Sequence, residues 1–201
     1  YLQNVNMGSS NLENVCFEDS VLENIIFTNS NLQNTNFSKT TIEHCNFDNT
    51  NLSNATFINI CNNDGIVEYS IKNTSFQYSN MNNIHYKGTF MESCILDNST
   101  IKNAIINKTR IYDTTCNHCT FDSVKFSHSI MYDILFEDTI LQNNIFRSVL
   151  IDECVFTNST INKLKLYSSN FRNSVYKNTK YEKFSIHRSI VPKEIRENII
   201  Q

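Results

Sequence analysis

The residues with most chemistry to offer are Cys116-Asn117-His118-Cys119, two thiols and an imidazole within four positions. A C-x-x-C pair supplies half of a zinc site or a redox couple. Zinc needs four ligands, and no second C-x-x-C occurs. The five histidines, His44, His85, His118, His128 and His187, are scattered and form no Ser/His/Asp pattern. Adjacent carboxylates occur at Glu137-Asp138 and Asp152-Glu153, where general acid–base work would need them. Three scattered glycines leave no room for a glycine-rich phosphate loop. A basic C-terminal region holds Lys163, Lys165, Arg172, Lys177, Lys180, Lys183 and Arg188. Nucleic-acid binding would use such a stripe, but a solvated face or a seat for an acidic partner domain accounts for it better.

What positions these residues is a repeat of five. Large apolar residues recur every fifth position from Leu2 to Phe57, and again from Ile71 to Ile186. The two runs make 36 centres, and only Cys116 is smaller than leucine. Two residues before each centre the side chain is usually small, as at Ser30, Thr35, Thr50, Ala55, Ser99 and Ser159. Two residues after it there is often Asn or Asp, as at Asn14, Asp19, Asn34 and Asn54. A period of five fits neither a helix at 3.6 nor a plain strand at 2. It fits a short extended segment with a bend at every fifth residue, in which the centre and the small residue two before it point the same way. Four such segments close a coil of about twenty residues, and coils stack at roughly 4.8 Å, giving nine coils and a rod of about 43 Å.

The repeat then reinterprets the reactive residues. Cys116 is a centre, and Cys45, Cys94, Cys119 and Cys154 fall at small inward positions. Cysteine acts there as a compact hydrophobe with an inert thiol. Free buried thiols imply a reducing compartment. His118 points outward, and each carboxylate pair follows a centre, as expected of a solvated corner. The expected core includes Leu22, Phe27, Leu32, Phe37, Phe47, Phe57, Phe76, Phe121, Phe126, Phe136, Phe146 and Phe156. Leucine or isoleucine mostly alternates with phenylalanine, so Phe should face Phe across the coil. No catalytic residue, metal site or cofactor is expected in this segment.

Composition agrees. Asn fills 32 positions, while Gly has three, Pro one and Trp none. A chain that turns often without Gly or Pro must use Asn and Asp, which tolerate turn geometry. Residues 1–146 hold 7 Lys/Arg against 15 Asp/Glu, a net of −8, and residues 147–201 hold 10 against 5, a net of +5. This predicts a rod polar from end to end, able to steer a partner. No apolar run approaches the roughly 20 residues of a membrane span. The phase break spans 58–70, where Asn62, Asn63 and Asp64 with Gly65 signal a turn. It is expected as a loop that resets the coil, and as a candidate contact loop for a partner.

The motif S-N-L-x-N and its relatives resemble the pentapeptide-repeat family, with consensus A-(D/N)-L-x-x. The resemblance covers residues 2 to about 188. It implies an all-β solenoid, a right-handed quadrilateral β-helix; handedness and square section come from the resemblance alone. The expected organisation is a β-helix over 1–189 and a short C-terminal helix over 190–201, where Pro192 opens a turn and Ile195 and Ile199 are four apart. That helix is expected to cap the rod or to lead into another domain. Tyr1 in place of Met, and an end just after Ile199-Ile200, suggest a domain cut from a longer protein.

Pentapeptide-repeat domains occur in type III secreted, HECT-like E3 ubiquitin ligases of the SopA/NleL kind. There the β-helix helps to engage host substrate proteins, and the catalytic Cys lies in later lobes. The Asn/Ile/Lys/Ser-rich text is similar to such a domain. This implies a virulence-related interaction module that recognises substrate, acts in the host cytoplasm, and has a host protein or an adjacent domain as its partner. The quinolone-resistance members of the fold imply an alternative, a DNA mimic that binds a type II topoisomerase; the +5 C-terminal end argues against it.

Overall fold

The computed structural model describes residues 1–59 and 70–197. It is a parallel solenoid of nine coils, each with four sides, followed by the helix Lys193–Glu197. Every centre pairs with the centre one coil on. Face I runs through Leu2, Leu22, Ile42, Ile71, Met91, Ile111, Met131, Ile151 and Phe171. Face II runs from Met7 to Tyr176, face III from Leu12 to Tyr181 and face IV from Phe17 to Ile186, in the same register. The strand Ile130–Glu137 turns a corner and joins faces I and II into one 11-stranded sheet.

The bend every five residues has one backbone cause. The residue two after the centre sits at positive φ, from Asn4 at 57° to Arg188 at 48°, with Asn59 before the break the exception among the described residues. Asn and Asp fill many of these corners at little cost. Stacking also forces Lys39, His44, Tyr78, Glu153 and Arg188 into the same conformation. Tyr78 is 59% exposed at φ 58°, so its side chain offsets little of that strain. Tyr78→Gly should therefore stabilise the protein by about 1 kcal/mol, read as a raised denaturation midpoint.

Asparagine also supports the corners laterally. Asn14, Asn34, Asn54 and Asn83 form a ladder in which each amide Nδ2 donates to the Oδ1 one coil before, at 2.9–3.0 Å. A second ladder runs through Asn11, Asn31, Asn51 and Asn80.

Inside, the aromatic centres stack along faces II and IV. Phe37 lies 4.9 Å from Phe57, and Phe27 lies 4.7 Å from Phe47. Phe17 meets Phe27 across the coil edge-on at 5.8 Å, so Phe does face Phe. Leu22, Phe27, Leu32, Phe37, Phe47, Phe57, Phe76, Phe126, Phe146 and Phe156 are 0–1% exposed, Phe136 is 3% and Phe121 6%. Burying each such side chain contributes about 1.5–3 kcal/mol, and only neighbouring coils can supply the burial.

The small inward residue is more than a space-saver. Ser99 Oγ donates to the Phe76 carbonyl at 2.6 Å and accepts from the Ser79 N–H at 3.2 Å. Ser159, further along the same column, and Ser129, on the face I column, repeat this arrangement. The hydroxyl thus satisfies two backbone groups that the corner leaves without a ladder partner. The column also admits larger apolar residues, as at Ile25, Ile134 and Leu164, all buried.

The sequence break preserves the stack. Ile42 pairs with Ile71, and Phe57 with Tyr86, each 29 residues on instead of 20. One coil therefore carries nine additional residues between face IV and face I. Asn62, Asn63 and Asp64 lie outside the described residues. At the far end Val191 and Ile195, 5% and 0% exposed, belong to the same core cluster. Ile199 lies outside the described residues.

Candidate functional site

The lumen is filled. Its voids are small and apolar; one beside Cys116 measures about 30 Å³, room for about one water. Among the described residues no group of three His, Cys, Asp or Glu gathers to hold a metal. Cys116 and Cys119 are both buried, and the Cys119 thiol donates to the Leu96 carbonyl at 2.9 Å. His118 points away from them, with Nδ1 3.7 Å from Asp138.

Burial pushes the Cys45 thiol up to about 11 and those of Cys94 and Cys154 up to about 12. The hydrogen bond to Cys119, with burial, raises Cys116 as well. Cys16 directly precedes a centre and is exposed. Cys61 lies outside the described residues. Of the six described thiols, only Cys16 should react with an aromatic disulfide reagent near pH 8 in the native state. The other five should appear on denaturation, as counted by released chromophore.

One carboxylate also departs from expectation. Asp152 was expected at a solvated corner, but it is 5% exposed. It accepts from Arg172 Nη2 at 2.7 Å and Nε at 2.9 Å, and from Asn173 Nδ2 at 2.9 Å. These donors, Arg172 first, hold its carboxyl below the usual 3.8. The pairing therefore stabilises the fold above the unfolded value near 3.8, and this is lost as pH falls through the lower folded value. Arg172→Ala should flatten the acid limb of a melting-temperature profile between about pH 2 and 5. Glu153, Glu137 and Asp138 are exposed, as a corner requires.

The outward residues form four flat ladders, and charge is sorted among them by face. Face IV from the fourth coil to the ninth comprises residues 84–88, 104–108, 124–128, 144–148, 164–168 and 184–188. It carries Lys87, Lys108, Lys125, Arg147, Lys165 and Arg188, with no Asp or Glu. Face II, opposite, carries Asp48, Asp97, Glu137 and Asp138, and its one Lys or Arg among the described residues is Lys177. Face I is mixed, with Glu92, Asp113, Asp133 and Glu153 among Lys72, Arg110 and Arg172, beside a half-buried run of rings at Phe90, Tyr112 and Tyr132, 5.5 and 5.9 Å apart. The basic C-terminal region is thus not one surface. Lys165 and Arg188 lie on face IV and Lys163 and Lys183 at its edge, while Arg172, Lys177 and Lys180 lie on faces I, II and III.

Sequence reading also passed over a Ser–His contact. Ser185 Oγ and His187 Nε2 are 3.0 Å apart and the imidazole stacks on Tyr167 at 5.0 Å. From the fourth coil to the ninth, face IV offers no carboxylate to orient that imidazole as a triad would.

Comparison with known proteins bears on the fold. The model for pentapeptide repeats (8 copies) matches residues 6–43 and 30–61. No curated protein sequence matches the chain. The solved structure of HetL, a pentapeptide repeat protein involved in heterocyst differentiation regulation from the cyanobacterium Nostoc sp. strain PCC 7120, is 10% identical. It superposes with a TM-score of 0.52 over 96% of this chain and 92% of that one. QnrB1, a plasmid-mediated fluoroquinolone resistance protein, is 13% identical, with a TM-score of 0.62 over 90% and 92%. At these identities the likeness is one of fold. No helix among the described residues is long and apolar enough to cross a membrane. The pentapeptide-repeat model matches the first three coils, and the same coil continues in register to Ile186.

Proposed function

We propose that this chain is a non-catalytic interaction module that recognises a protein partner through its outward ladders. The observation that carries this is the sorting of charge by face. The repeat dictates the inward positions, whereas nothing in the coil requires six rungs of face IV to lack every carboxylate. Photo-crosslinkers placed at exposed Ile105 on face IV, Leu135 on face II and Lys102 on face III test it inside cells. A discrete protein adduct from one face is expected; no adduct from any face would sink the proposal.

Within that function, the module serves a secreted, HECT-like E3 ubiquitin ligase of a bacterium as its substrate-recognition domain. Support comes from the Asn/Ile/Lys/Ser-rich composition and from the helix Lys193–Glu197 after the last coil. The partner is then a host protein or an adjacent domain, met in the host cytoplasm. The codons after Gln201 decide: a HECT-like region is expected, and a stop codon there would remove this reading. The acidic ladder of face II favours a second reading, a DNA mimic that binds a type II topoisomerase. Protection of gyrase supercoiling from a quinolone by the purified chain would establish it in place of the first.

A further inference from the structure

Face IV between the fourth and ninth coils has the features of a built docking surface. Its six cations, Lys87, Lys108, Lys125, Arg147, Lys165 and Arg188, are all exposed, and none makes an ion pair among the described residues. Some cations elsewhere are paired, Lys39 with Glu18, Lys72 with Glu92 and Arg172 with Asp152, while others among the described residues, such as Lys102 and Lys180, are not. Six rungs at the strand spacing make a strip of about 24 Å with one cation per rung. Parts of the strip are already ordered. The Arg147 guanidinium lies over the Tyr167 ring at 4.8 Å, and that ring stacks on His187. This reduces the side-chain entropy that binding would otherwise cost. At the edge toward face III, Lys163, Lys165 and Lys183 surround a shallow depression with Asn143, Ile145 and Ser185, and no carboxylate lines it.

We propose that this strip docks an acidic segment of a protein partner. The inference rests on the protein-interaction reading and names the face and the partner's chemistry. Two observations favour a short acidic segment over a long polyanion. The strip is bounded: on the first coil the same face presents Glu18 and Asp19, where a nucleic acid running along the rod would meet like charge. The chain also carries a net −3, which a long polyanion would feel as a whole. A short segment on face IV senses mainly the six cations, because the opposite ladder is screened beyond a Debye length of about 8 Å.

The test is fluorescence anisotropy with the full chain and a labelled glutamate-rich peptide of about seven residues, a size set by the strip length at ~3.3 Å per residue. A single-stranded oligonucleotide of equal charge and phosphatidylserine vesicles are the competing probes. The peptide should bind, and weaken as ionic strength rises from about 0.05 to 0.5 M. The triple variant Lys125→Glu/Arg147→Glu/Lys165→Glu should lose at least about tenfold in affinity. The face II variant Asp97→Asn/Glu137→Gln/Asp138→Asn should lose none. The same three cations changed to Gln give a second variant that avoids new carboxylates, and it should also weaken binding. Unchanged affinity in both cation variants overturns the proposal, as does tighter binding of the oligonucleotide or the vesicles. Crosslinks to a protein from another face alone would end this proposal and leave the protein-interaction reading standing.

Discussion

Replacing Phe136 by alanine should cost about 3–5 kcal/mol. The ring is 3% exposed and stacks on Phe156 at 4.6 Å with an interplanar angle of 7°; Phe121 lies 6.1 Å away. The loss belongs at the upper end of that range because the cavity has little means of collapsing. The backbone on both sides is held by pairing to the coils above and below, with Leu135, Phe136 and Glu137 each matched to a residue of the next coil. The rung beneath is the small Cys116, beside an existing void that the lost ring would enlarge. A urea midpoint indistinguishable from the parent would show that the centre does not carry the core.

The second large effect concerns Asn144, fully buried at a position usually held by a small residue. Its Oδ1 accepts from the Val124 N–H at 2.8 Å and its Nδ2 donates to the Phe121 carbonyl at 3.0 Å. Asn144→Asp keeps the acceptor and removes the donor, placing a buried carboxylate against a carbonyl oxygen. At pH 7 this should cost about 3–5 kcal/mol, the scale of an uncompensated buried charge. Desolvation raises the carboxyl's folded pKa above its unfolded value, so the cost grows as pH rises above about 4 and shrinks below it. Denaturation midpoints at about pH 4 and pH 7 read the difference. Asn144→Leu, matching the Leu164 that occupies the same column one coil on, should show a smaller loss with no such pH dependence. Equal losses for the two variants at both pH values would mean that charge plays no part.

Much of the fold was legible because the coil imposes one demand on every fifth residue. Each centre must fill the lumen, so even a single sequence shows 36 consistent choices. The corner was half legible: Asn and Asp mark it where local propensity agrees. Tyr78 and Lys39 hold the same conformation only because stacking overrides propensity, and nothing in their type announces it. The small inward column looked like a matter of size, whereas Ser99 shows it is equally a matter of two hydrogen bonds.

The candidate surface was the least legible part. Charge summed along the chain suggested polarity from end to end. Lys87 and Arg188 are 101 positions apart in sequence yet share one face, while the nearby Arg172 and Lys177 belong to two others. Sequence distance converts to a face only through the coil length, and the 29-residue coil shifts that conversion midway. Asp152 escaped for a related reason, since its partner Arg172 is a neighbour only one coil on.

The register across the break has one more consequence. Ile42 and Ile71 pair as if the nine additional residues were absent, so the rod does not count what is threaded through that corner. Removing residues 60–68 would restore an unbroken spacing of five from Phe57 to Ile71. Lengthening the segment should cost only the slow logarithmic growth of loop closure, about 0.6 kcal/mol per doubling. The corner between faces IV and I is in effect a cloning port: a foreign epitope or small domain inserted there would be displayed beside the basic strip without retuning the coils that hold it.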